Sequence, residues 1–168
     1  MGIMWLFVCR MPTFDEILRK WNYEIENADD KNNRKIWKDE FIVYYENRRA
    51  IPYYGFLGDE IICEATAFIS KKGVTNPKGL VDEFTAYLCA FRTVKKYQGQ
   101  GYFSKLFKYM VDDLKDKWYK ILTVGVEPQS ITNKKIYSHY GFDELVKTDV
   151  EKNPDWSLVT VEYYKKYL

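Results

Sequence analysis

Apolar positions recur along this chain in two rhythms, one of three to four residues and one of two. Trp5 to Cys9 is a short apolar run that predicts a first strand. Pro12-Thr13 breaks it, and Thr13 with Glu16 three residues later has the form of a capping box. Behind that cap, Phe14, Ile17, Leu18, Trp21 and Ile25 share one helical face, which predicts a helix from Phe14 to about Glu26. A second helix is expected from about Lys31 to Arg48, with Ile36, Trp37, Phe41, Tyr44 and Tyr45 inward. Its other face carries Lys35, Lys38, Asp39 and Arg49, a solvated charge pattern. Tyr53 to Leu57 and Ile61 to Ser70, joined by Gly58-Asp59, form a predicted β-hairpin. In its second arm Glu64, Thr66 and Phe68 alternate with apolar residues, which implies one buried and one partly wet face. Ser70 to Asp82 is a polar connection, long enough to act as a mobile element over a cleft.

The rhythm changes most sharply at the centre of the chain. Phe84 to Phe91 is apolar at almost every position, as expected of a strand buried on both faces. Lys95-Lys96-Tyr97-Gln98-Gly99-Gln100-Gly101 follows as a basic turn with two glycines. Then Phe103, Leu106, Phe107, Met110, Val111, Leu114 and Trp118 return at helical spacing. A strand, a Gly-x-Gly turn and a helix in that order place unpaired N–H groups beside permissive backbone, a natural cradle for phosphate. Ile121 to Val126 is a further apolar strand, and its long helical crossover predicts a parallel pair with the central strand. Ser130 is placed to cap a last helix, Ile131 to Tyr140, which Gly141 would end. Phe142 to Thr148 and Ser157 to Tyr164 complete the pattern, with Asn153-Pro154-Asp155 turning between them. No repeat or linker interrupts it, so residues 1–168 are read as one α/β (α+β) domain.

Composition narrows the chemistry. The 26 Lys and Arg nearly balance 24 Asp and Glu, which argues against a nucleic-acid partner while leaving room for a local anion site near the turn. With 15 Tyr, 10 Phe and 5 Trp, the aromatic residues serve packing first and cleft walls second. Cys9, Cys63 and Cys89 sit inside apolar runs and are too widely spaced for a metal knuckle. They are read as buried, reduced and structural, as in a cytoplasmic protein that needs no metal. The opening MGIMWLFVCR is too short to span a membrane and lacks the layout of a secretory signal. Leu6 stands where acylation of Gly2 would want Ser or Thr, so no membrane association is expected. Gly99-x-Gly101-x-x-Ser104 misses the third glycine of a dinucleotide fingerprint, and no Gly-Lys-Ser/Thr follows as in a Walker A loop.

The order of elements resembles the GNAT N-acetyltransferase family over nearly the whole chain, and two motifs make the resemblance specific. Lys96-Tyr97-Gln98-Gly99-Gln100-Gly101 is similar to the family's [Arg/Gln]-x-x-Gly-x-[Gly/Ala], with Lys in place of the forked or amide side chain. Ile136-Tyr137-Ser138-His139-Tyr140-Gly141-Phe142 is similar to its Leu-Tyr-x-x-x-Gly-Phe. The resemblance implies a mixed central sheet of six to seven strands flanked by about four helices, with acetyl-coenzyme A as co-substrate. It implies a pyrophosphate held on the N–H groups of Gln98, Gly99, Gln100, Gly101 and Tyr102, with Lys96, Phe103 and Ser104 alongside. A pantetheine arm would pair with backbone of Phe91 and Thr93 in a gap between the two parallel strands, beside Arg92. The family's Asn seven residues before the Tyr is Ser130 here, and Asn133 stands one turn on.

Acetyl transfer to an amine requires deprotonation of the amine and protonation of the leaving thiolate. By resemblance Tyr137 is the general acid, and a phenol with an ordinary pKa near ~10 is protonated at neutral pH. The base stays open. Thr85 stands where some relatives keep a Glu, which leaves Glu83, two residues earlier, as the first candidate. Glu64, Glu127 or water are the others, and His139, the single histidine, is expected to be exposed. The expected reaction is direct transfer to a primary amine of a small molecule or peptide, by a monomer or homodimer. The alternative is an acyl-coenzyme A sensor or scaffold of the same fold without turnover.

Overall fold

The computed structural model describes residues 4–168. Gly2 and its failed acylation pattern lie outside that range. Seven strands form one sheet in the order β1-β2-β3-β4-β5-β7-β6, with two helices on each face. They are β1 (Phe7–Arg10), β2 (Ala50–Leu57), β3 (Glu60–Phe68), β4 (Thr85–Thr93), β5 (Ile121–Val126), β6 (Glu144–Lys152) and β7 (Leu158–Tyr167). The helices are α1 (Phe14–Asn27), α2 (Lys31–Glu46), α3 (Tyr102–Asp116) and α4 (Ile131–His139). The β4–β5 pair is parallel and the other neighbours are antiparallel, as a long helical crossover flanked by hairpins requires.

The helices form for the reasons visible in their pattern. Thr13 and Glu16 cap α1 reciprocally, and Arg10 grips the same Glu16 carboxylate through both oxygens. The Arg10 guanidinium holds that carboxyl down at about 2, well below the usual carboxylate range. Ile17 and Trp21 of α1 join Phe41 of α2 against Tyr54 and Phe56 on one sheet face. On the other face α3 buries Leu106, Phe107, Met110, Val111 and Leu114 over β1, β2 and β3. Several ends differ from expectation. α2 stops at Glu46, and β2 begins at Ala50 rather than Tyr53. β1 covers only Tyr54–Leu57 of β2, so Pro52 sits on an open edge where a residue without an N–H is tolerated. β6 runs on to Lys152, and β7 extends to Tyr167. The connection after β3 is no free flap: Leu80 and Val81 are buried with Val161 and Tyr163, and the Thr123 hydroxyl bonds Leu80 O at 2.9 Å.

Two irregularities in β4 position the site. Its parallel register with β5 runs from Thr85↔Ile121 to Leu88↔Val124 and ends there. On the β3 side, Cys89 faces Thr66 and Arg92 faces Glu64, so β4 carries one extra residue. Ala90 absorbs it with φ 57°, in the left-handed region. β4 therefore turns with β3 while β5 stays on β7, through Gly125↔Tyr163 and Val126↔Glu162, and the parallel strands part. An alanine held there costs ~1–2 kcal/mol against ~0.5–1 kcal/mol for the freedom a glycine loses on folding. Ala90→Gly is expected to stabilise the fold by up to ~1 kcal/mol in urea denaturation, and Ala90→Val, branched at Cβ, to destabilise it by more than ~1 kcal/mol.

Candidate active site

The basic turn after β4 is built around two left-handed residues, Gly99 at φ 75° and Gly101 at φ 84°. A Cβ on either would meet nothing within 4 Å, so conformation and not packing requires glycine, and the space above the turn is open. No acceptor among the described residues takes the N–H of Gly99, Gln100 or Gly101, and Tyr102 opens α3 directly behind them. That row of donors at a helix N-terminus suits a phosphate. The expected row is shortened at its start, because Gln98 N–H bonds Lys95 O at 3.2 Å in a 3-10 turn. The long side chains also differ from expectation. Gln98 and Gln100 donate their side-chain amides to Thr93 O and Lys96 O, bracing the turn from below. Lys96 Nζ lies 3.3 Å from Glu60, drawn to the β2–β3 hairpin.

Where β4 and β5 part, aromatic side chains from both strands' cover meet. Phe91 lies in the bulge without a β3 partner, with ring centroids 5.1 Å from Phe103 and 5.5 Å from Tyr137. Its side chain is thus core packing on the α3–α4 face. Tyr137 reaches the gap from α4, half-buried, and burial, helped by the nearby Cys89 thiol, pushes its phenol up to about 12. It is a proton donor at neutral pH. Ser104 Oγ lies 2.9 Å from Tyr140 Oη, tying the first turn of α3 to the end of α4. Ser130 occupies the N-cap position of α4, yet its hydroxyl accepts no helix N–H, and Asn133 is exposed one turn in. His139 is exposed, as expected.

The opposite face of the gap carries the charge. Arg92 does not turn toward the Gly-x-Gly loop: its guanidinium pairs with Glu24 of α1 and lies 3.7 Å from Glu64. Glu64 is 3% exposed, which corrects the expectation of a wet face on β3. Lys20 Nζ approaches its Oε2 at 2.7 Å, a charge contact without hydrogen-bond alignment, and both Glu64 oxygens are buried without a donor. Burial pushes its carboxyl upward, Lys20 and Arg92 pull it down, and burial wins. Beside this cluster a cleft of about 720 Å³ opens between α1, α2, β4 and the β6–β7 turn. Trp37, Tyr44, Tyr54 and Tyr87 are among its walls, with Cys89 and Ala90 at the gap. Cys89 is therefore a cleft residue and only half-buried, not part of the sealed core.

Two of the expected bases are not brought to this place. Glu83 is exposed in the bend before β4, at the far end of the strand from the gap, because the strand starts only at Thr85. Glu127 is exposed past β5 and accepts from the Gln129 amide at 2.7 Å. Residues that sequence reasoning passed over do line the cleft: Lys20, Tyr87, Cys89 and Glu151. Lys20 and Glu24 stand four apart on α1 beside its apolar stripe, a spacing that signals a pair on one face. Glu151 had no such signal, since it lies beyond the predicted end of its strand.

Comparison with known proteins agrees with this geometry. The family described as Acetyltransferase (GNAT) matches residues 12–142. No curated protein matches the sequence. Among solved structures, the ribosomal-protein-S18-alanine N-acetyltransferase of Escherichia coli superposes with a TM-score of 0.69 at 13% identity, over 96% of this chain and 94% of that one. A probable acetyltransferase from Staphylococcus epidermidis gives 0.69 at 15% identity, over 96% and 99%. A GNAT family acetyltransferase from Elizabethkingia anophelis with acetyl-CoA bound gives 0.62 at 18% identity, over 96% and 98%. At such identities the likeness speaks for the fold alone. Gly101→Val, which forces a branched side chain to a φ of 84° and into the open space above the turn, is expected to weaken binding of inorganic pyrophosphate at least ~10-fold, since ~1–2 kcal/mol of strain adds to the lost approach. Calorimetric titration of folded variant and wild type checks this.

Proposed function

The chain belongs to the GNAT acetyltransferase family, and from that premise we propose that it moves an acetyl group from acetyl-coenzyme A directly to a primary amine of a small molecule or peptide. The observation that carries the reading is the gap between β4 and β5, with an open row of N–H donors at one end and Tyr137 beside it. Gly99 to Tyr102 would hold the pyrophosphate at the positive end of α3. Beyond Leu88, β4 has no β5 partner, so its backbone is free to pair with the pantetheine arm. Phe91, Phe103 and Phe107 keep the α3–α4 side of the gap apolar, which favours the thioester and keeps water out. The amine would enter from the other face, through the aromatic cleft.

Acetyl-coenzyme A supplies the activated acyl group. The chain's own residues orient it and move protons. Tyr137 holds the proton that the leaving sulfur takes up as the C–S bond breaks. The attacking nitrogen must be uncharged, and the proton it gives up goes to a carboxylate or water on the cleft side. Of the expected bases, only Glu64 lies on that face, and it is locked against Lys20 and Arg92.

Thiol release measured across a panel of primary amines tests the reading. Tyr137→Phe is expected to lower kcat by ~10²–10⁴-fold with acetyl-coenzyme A affinity unchanged. Because the phenol stays protonated to about 12, the wild-type rate should show no alkaline loss from this group up to pH ~10. A full-rate Tyr137→Phe enzyme would remove the acid role. Coenzyme A binding without thiol release on any amine would favour the non-catalytic sensor.

A further inference from the structure

Two carboxylates that line the aromatic cleft have no cation within 4 Å among the described residues, the exposed Glu40 of α2 and the half-buried Glu151. The charged groups beside the gap are matched: Lys20 with Glu64, and Arg92 with Glu24. Glu151, on β6 where the strand forms the wall facing α2, has no lysine or arginine within 4 Å among the described residues, although it is half-buried. On its own strand Lys147 is taken by Asp149 at 3.4 Å, and neighbouring Lys152 lies over the Trp156 ring at 4.2 Å. From β7, the hydroxyl of the fully buried Tyr163 donates to Glu151 Oε1. That bond fixes the carboxylate and leaves its second oxygen unused by the described residues.

The carboxylate also stands near the reacting end of the cleft. The ring of Tyr87 on β4 lies with its centroid 6.0 Å from that of Tyr163, whose hydroxyl holds Glu151. A Cβ on Gly125 would come within 2.8 Å of the Tyr87 hydroxyl. Gly125 is the first residue of β5 beyond the last pair with β4, which puts that hydroxyl at the mouth of the gap. Tyr137 thus approaches the gap from the α4 side, and Tyr87 with Glu151 from the cleft side.

We propose that Glu151 is the residue that receives the ammonium group of the acceptor in the aromatic cleft and takes its proton before transfer. This rests on the acyl-transfer reading above. A half-buried carboxylate with no cation is costly, and the ligand that balances it is a cation; the aromatic residues Trp37 and Tyr44 line the same cleft. The acceptor class is therefore an amine that is protonated at neutral pH, and not an aniline or an amide. The proton balance closes: the ammonium N–H passes to the Glu151 carboxylate, and the free nitrogen pair forms the new C–N bond as C–S breaks. Once bonded to the acyl carbon, the nitrogen gives its second surplus proton to solvent, and the thiolate takes one from Tyr137. Glu151 then passes its proton to solvent and Tyr137 regains one, so one proton is released overall. Burial and Asp149 raise the Glu151 carboxyl and Lys147 lowers it, with Tyr163 and Tyr87 the neutral groups facing it from β7 and β4. A raised carboxyl is a better base, and it must be ionised to act, so the rate should rise with pH through a value above the usual carboxylate range.

The test pairs binding with rate on the full chain loaded with coenzyme A. By ligand-observed NMR at pH 7, hexylammonium should bind the wild type, with affinity reduced at least ~10-fold in Glu151→Gln, while neutral hexanol should not distinguish the two. Glu151→Asp should recover part of the loss, and coenzyme A affinity should be unchanged in both, which controls for folding. With the best amine of the panel, Glu151→Gln should lower kcat/KM by ~10²–10⁴-fold and abolish the acidic limb of its pH profile. Wild-type kcat/KM and limb in Glu151→Gln would overturn the inference and leave acetyl transfer standing. Hexylammonium binding that ignores the substitution would overturn it as well. Glu151-dependent binding with no thiol release from any amine would instead overturn the acyl-transfer reading and the proton step with it, and leave the ammonium site.

Discussion

The parting of β4 from β5 is the constraint on which the rest of this molecule depends. Parallel strands normally stay paired because each unpaired N–H or C=O away from water costs about as much as a lost hydrogen bond. Here the pair ends at Leu88 and Val124 because one extra residue in β4 turns the strand with β3, and Ala90 takes the strain. The divergence leaves backbone donors and acceptors free in the middle of a sheet. It also aims the end of β4 at the Gly-x-Gly turn and leaves the strand bordered by different surroundings on the two faces. In the proposed reaction, a long phosphate-bearing molecule and an amine would meet at that gap from opposite sides.

The two faces differ in what they can tolerate. On the α3–α4 side the gap is closed by Phe91, Phe103, Phe107 and Tyr137, rings that bring one hydroxyl and no formal charge. On the α1–α2 side it is bordered by Lys20, Glu24, Glu64 and Arg92. A buried charge cluster is weak evidence of stability, since desolvation offsets most of the attraction, whereas removing one partner strands the other. Its geometric effect is clearer. Arg92 is the residue just past the bulge, and its pairing with α1 pins the end of β4 against that helix. The cluster therefore helps hold the strand in its diverted course.

What could be read from the sequence was whatever is local. The Thr13–Glu16 cap, the apolar stripe of α3, the glycine that ends α4 and the turn geometry of Gly99 and Gly101 all follow from residues a few positions apart. Contacts between elements were harder. Alternation along β3 cannot tell a solvated Glu64 from one buried against a lysine of α1, because both give the same pattern. Ala90 carries no signal of a left-handed turn, so the bulge was invisible, and counting back along β4 pointed to Glu83 at the wrong end of the strand. Glu151 escapes for a similar reason: the expected strand ends at Thr148, three residues short of it, whereas β6 runs to Lys152.

The proposed acid and base lie on opposite faces, and the pH at which each would have to work accounts for that placement. A phenol kept protonated wants an apolar, uncharged setting, which Tyr137 has, and burial there works in its favour. A carboxylate that must stay ionised wants access to water or a cation, which the open cleft provides and the α3–α4 face does not. Exchanging the two positions would favour the neutral carboxyl among the aromatic rings of the α3–α4 face. A sheet split at one point keeps the two environments a few residues apart without mixing them. Separation across the split lets one short segment of β4, from Tyr87 to Thr93, border both.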